Sequence, residues 1–131
     1  MPESINSCNY ESDKTGKLMD NLHYPLPDLT YLREMAEGDE LFIKDIINYF
    51  LKNCPGMLTL MRESALAGDF EKLYFTVHKL LPQLKFVGIL AAVPDVEKIK
   101  NESKHMSDLS VVIERVIKIV NYGMEDLKKM I

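Results

Sequence analysis

From Asp28 to the C-terminus, apolar residues recur at three- and four-residue steps, and Gly-Asp pairs at 38–39 and 68–69 cut the pattern into segments. That spacing lines one face of a helix and no face of a strand. Glycine ends a helix because it tolerates positive φ, and the aspartate after it caps the next one. The chain is therefore expected to be all-α. Six glycines and six prolines in 131 residues leave room for long helices. A chain of this length buries about two-thirds of its unfolded surface in one core.

Residues 1–26 are polar and unpatterned and end at Pro25-Leu26-Pro27, so they are expected to form a flexible N-terminal tail or linker ahead of a bundle over 27–131. Asp28 is a fitting N-cap for a short helix Leu29–Glu37, with Leu32 and Met35 inward. A long segment from Glu40 to about Ala67 carries Phe42, Ile46, Tyr49, Phe50, Met57, Leu58 and Met61, and Pro55 is expected to bend it. The next runs from Phe70 to about Gly88 with the stripe Leu73, Val77, Leu80, Leu84, Val87. A shorter helix has Pro94 in its first turn and Val96 and Ile99 inward, and Lys104–Ser107 reads as a loop. The last, Asp108 to about Met130, places Leu109, Val112, Val116, Val120, Met124 and Leu127 on one face. Short connections make successive long helices antiparallel. The expected architecture is an antiparallel up-down-up-down four-helix bundle with an extra short N-terminal helix, its core gaps filled by methionines.

Charge and cysteine usage exclude several functions. The net charge is −4 and no Lys/Arg stripe alternates with aromatics, which argues against nucleic acid. No apolar run nears 18 residues and the N-terminus lacks a signal-peptide pattern, so a cytoplasmic protein without a membrane span is expected. Cys8 and Cys54 lack metal-like spacing and fit free thiols in a reducing compartment. His23 and His105 have no partner at ligand spacing, so neither a metal nor a bound cofactor is expected.

His78 is different. It plots roughly 100° or more from the centre of the apolar stripe, which puts its ring in water. Four residues later comes Pro82, which removes a backbone N–H and crowds the carbonyl of His78, at a cost of about 3 kcal/mol in a helix interior. A local rule broken beside an exposed histidine marks a functional site. Lys85, seven residues on, shares the His78 face and leans back toward the ring, whereas Lys79 points to the side. Phe75 and Phe86 plot on the same side and suggest a docking patch with Pro82, unless a kink at Pro82 turns Phe86 into the core.

The run Leu29-Thr30-Tyr31-Leu32-Arg33-Glu34-Met35, the turns Glu37-Gly38-Asp39 and Ala67-Gly68-Asp69, and Val77-His78-Lys79-Leu80 with Gly88 beyond together resemble a histidine-containing phosphotransfer (HPt) domain. The resemblance covers nearly everything from Asp28 onward. It implies that His78 accepts a phosphoryl group from a response-regulator receiver aspartate in a two-component phosphorelay and passes it to another. It also implies that a hybrid sensor histidine kinase lies upstream, that Mg²⁺ belongs to the receiver, and that the chain is a stoichiometric carrier rather than an enzyme. A monomer is expected. The family motif His-x-x-Lys-Gly-Ser falls here on His78, Leu81, Pro82 and Gln83, so its lysine and glycine are replaced. Lys85, Lys79 and Gln83 are then the candidate auxiliaries for the phosphoryl group.

The chemistry asks little of the rest of the chain. Imidazole in model compounds titrates near ~6.5, so a free ring nitrogen can attack an acyl phosphate at neutral pH without a base. The bundle has only to hold the ring exposed and rigid. The alternative is a degenerate bundle of the same kind that binds a signalling partner without carrying phosphate.

Overall fold

The computed structural model describes residues 25–103 and 108–131. Among them there are five α-helices and no strand: α1 (Thr30–Ala36), α2 (Glu40–Leu66), α3 (Phe70–Val87), α4 (Val93–Glu102) and α5 (Ser110–Lys129). A 3₁₀ turn, Leu90–Ala92, joins α3 to α4. The neighbour pairs close into a ring, since α2 packs on α3 and α5, α3 on α4, and α4 on α5, while α1 lies across α2 and α3. The stretch expected to be a flexible tail falls outside the described residues as far as residue 24, and so does Lys104–Ser107.

Both Gly-Asp pairs act as the sequence predicts. Gly38 and Gly68 take positive φ, and the Asp39 and Asp69 carboxylates accept from the backbone N–H groups of Phe42 and Lys72, each at 3.1 Å. Asp28 caps differently from expectation: α1 begins at Thr30, and Asp28 Oδ1 accepts from Thr30 N at 3.0 Å. Hydrogen bonds from the Thr30 side chain and backbone hold its carboxyl below the usual aspartate range.

The core is read correctly along α5, where Leu109, Val112, Val116, Val120, Met124 and Leu127 are all buried. Val96 and Ile99 of α4 are fully buried as well. Two helices correct the expected faces. In α1 the inward pair is Leu32 and Ala36, and Met35 is 52% exposed. In α2 the buried line is Ile43, Ile47, Phe50, Cys54, Leu58 and Met61, leaving Phe42 and Tyr49 exposed. The reason is that α2 offers apolar residues on two faces at once, so composition alone does not say which one the ring of helices will cover. Pro55 does not interrupt α2, which runs through it as one helix of 27 residues. Burial also pushes the Cys54 thiol up to about 12, which makes it an inert packing group.

Gly88 fixes where the chain enters the bundle. Its φ is +78°, and a Cβ placed there would lie 1.8 Å from the Asp28 carbonyl oxygen. Asp28 N donates to Gly88 O at 2.9 Å. Only glycine allows both the left-handed turn and this approach.

Candidate functional site

Helix α3 has two faces of opposite character. Leu73, Val77, Leu80 and Leu84 are fully buried, while Phe75, His78, Lys79, Pro82 and Lys85 face solvent. A rotation of about 100° per residue produces this split. The helix continues unbroken from Phe70 to Val87 through Pro82, close to the span expected from the sequence. Pro82 lies on the exposed face, where a carbonyl without its helical donor can still meet water, and this is why the helix tolerates it. The carbonyl concerned belongs to His78.

The His78 side chain makes no hydrogen bond or ion pair among the described residues, but its ring is not isolated. Tyr74, half-buried one turn earlier, lies nearly parallel to it, with ring centroids 5.8 Å apart and planes at 12°. Phe75 meets Tyr74 edge-on at 6.1 Å. Beside this cluster a groove of about 730 Å³ runs along the α2–α3 seam, with Tyr49, Asn53 and Gly56 on one wall and Phe75 and Lys79 on the other. A Cβ at Gly56 would meet nothing within 4 Å, so that position opens directly onto the groove.

The structure relocates several candidate residues. Lys85 does not reach back to His78: its Nζ lies 3.9 Å from Glu97 Oε2 on α4, the opposite charge that its position favours. Lys79 makes no ion pair among the described residues and lines the groove. Gln83 is turned into the α2–α3 seam, where its Nε2 lies 3.8 Å from Met57 Sδ and its Oε1 is buried without a partner. Phe86 is half-buried against the core and stands edge-on to Tyr31 of α1 at 5.5 Å, so it is a packing residue more than an exposed docking residue. Leu81, at the position of the family lysine, is buried at 7% exposure. Phe75 is 55% exposed and Pro82 is exposed, as a docking patch requires.

Tyr74 and the α2 wall escaped the sequence reading. The signal for Tyr74 was present, because residues four apart on a helix are neighbours and two rings at that spacing can stack. The α2 wall had no comparable signal, since its position opposite α3 is a tertiary fact. His23, His105 and Cys8 lie outside the described residues. Among the described residues no three His, Cys, Asp or Glu side chains gather as a metal site would require. No helix among them is long and apolar enough to cross a membrane. Comparison with family models, curated proteins and solved structures gives no match.

Proposed function

We propose that the chain is a phosphocarrier of the HPt type, a cytoplasmic module serving receiver domains and a hybrid sensor kinase. In this reading the closed ring of α2 to α5, joined by short connections, is an antiparallel up-down-up-down bundle with α1 added. The observation that carries the reading is the exposed His78 imidazole on the outer face of a helix whose inner face is locked in the core. A neutral ring nitrogen attacks the phosphorus of a receiver's aspartyl phosphate. The N–P bond forms as the acyl P–O bond breaks, and the electron pair leaves on the carboxylate. The return step reverses this toward a second receiver. In this reading Lys79, which has no ion-pair partner among the described residues, is the cation that offsets the phosphoryl charge, since the Lys85 ammonium lies 3.9 Å from the Glu97 carboxylate. The groove with Tyr49 and Phe75 gives the receiver an apolar landing.

A second reading has its own observation. The family lysine position is filled by the buried Leu81, which suits a bundle that docks a receiver without accepting phosphate. One experiment separates the two. Incubation with phosphorylated candidate receivers is expected to leave acid-labile label on the chain. His78→Gln should remove the label with helix content unchanged, and His23→Gln and His105→Gln should keep it. Receiver binding without label supports the second reading, and label persisting in His78→Gln refutes the acceptor assignment.

A further inference from the structure

We infer that Tyr74 is a positioning residue for His78, holding its imidazole in the orientation that transfer requires. The inference rests on the phosphocarrier reading above. An exposed histidine on a helix is free to exchange between staggered χ1 wells and to turn broadly about χ2. Transfer needs one ring nitrogen in line with the breaking P–O bond, so orientations that point elsewhere waste encounters with the receiver. Tyr74 removes that freedom. It sits one turn before His78, is itself half-buried and so anchored to the bundle, and offers its ring face at 5.8 Å and 12°. Near-parallel rings at this centroid distance are an offset stack, a geometry that biases the ring plane of His78. Tyr74 touches neither the phosphorus nor the departing carboxylate.

An aromatic pair of this kind shifts a conformational equilibrium about two- to tenfold. The same factor is the expected effect on the rate of transfer.

The test uses the full chain with Tyr74→Leu and Tyr74→Phe. In the wild type and Tyr74→Phe, the carbon-bound ring protons of His78 should show upfield ring-current shifts by NMR, and in Tyr74→Leu they should return to random-coil positions. Single-turnover transfer from a phosphorylated receiver should lose about two- to tenfold of its maximal rate in Tyr74→Leu, with the half-saturating receiver concentration unchanged. Tyr74→Phe should stay within about twofold of the wild type, because the ring and not the hydroxyl is the platform. Phosphoramidate, whose P–N bond breaks to release ammonia as His78 is phosphorylated, is small enough to meet the ring in any orientation and should label all three chains alike. Damage to the fold would lower the melting temperature without this split between the two donors.

Unchanged maximal transfer in a folded Tyr74→Leu overturns the inference, and so does a loss as large in Tyr74→Phe. A change confined to half-saturation also overturns it, since Tyr74 would then be touching the receiver. Should Tyr74→Leu not fold, the wild-type shifts decide, and random-coil values overturn the inference. A wild-type chain that takes label from no receiver overturns the carrier reading itself, whereas labelled wild type with any of the earlier outcomes leaves that reading standing.

Discussion

The seams that α5 makes with α2 and α4 are closed by different chemistry from the seam between α2 and α3. Arg62 of α2 grips both carboxylate oxygens of Glu114 on α5 at 2.8 and 2.6 Å. Arg115 of α5 does the same to Asp95 of α4 at 2.8 and 3.0 Å. Two-pronged pairs of this geometry fix the register of neighbouring helices over a core already closed by apolar burial. Between α2 and α3 no ion pair spans the seam among the described residues. Met57 and Gln83 meet there, and the surface above them is an open groove with Tyr49 and Phe75 exposed. The molecule fastens one side with charge and leaves apolar rings bare on the other, which is what the proposed docking of a receiver at that groove would use.

The largest expected effects set the two faces of α3 against each other. Leu80→Ala should cost about 2–5 kcal/mol in urea unfolding, because it opens a cavity in a fully closed core. His78→Gln, two residues away, should leave stability within about 0.5 kcal/mol while abolishing label. A large loss of stability in His78→Gln would break the division of faces. Next, Tyr49→Ala combined with Phe75→Ala should weaken receiver binding about tenfold with little change in unfolding, the signature of a recognition surface. If the double variant unfolds early instead, the groove belongs to the fold.

The lysines sharpen the contrast. Lys79→Ala should slow transfer several-fold and more than Lys85→Ala, the reverse of the order that the sequence suggests. Smaller still, Arg115→Ala should cost at most about 1 kcal/mol, fading with added salt and leaving transfer untouched. The least effect belongs to Glu114. The Arg62 hydrogen bonds hold its carboxyl below the usual glutamate range against an opposing cost of burial, and the Arg62 charge adds the least. Its support for the fold is therefore complete above the ordinary glutamate value and is lost as pH falls through the lowered one. An acid titration comparing wild type with Arg62→Ala should show the two stability curves converging in that acid window.

The helices and most of their ends were legible in sequence because each rule involved is local. Gly38-Asp39 and Gly68-Asp69 announce a stop and a start within two residues, and the α5 stripe has only one apolar face to bury. The errors share one cause. Met35, Phe42 and Tyr49 sit on helices with more apolar surface than one face needs, and only the neighbours decide which part is covered. His78 and the exposure of Phe75 could be read from the helical wheel. The partner of Lys85 could not, since Glu97 arrives from another helix, and neither could the inward turn of Gln83 toward Met57.

The contact between Gly88 and Asp28 fixes the point at which the chain enters the bundle. It pins the chain at the C-terminal end of α3, roughly 15 Å along the helix axis from His78. On the carrier reading, a partner attached ahead of Asp28 would have to bridge this offset to meet His78. A donor domain fused there, as that reading would allow, gains local concentration at the imidazole only once its linker spans this offset, and longer linkers then dilute it slowly. Substituting Gly88 would free the anchor and change that reach without touching a single residue at the histidine.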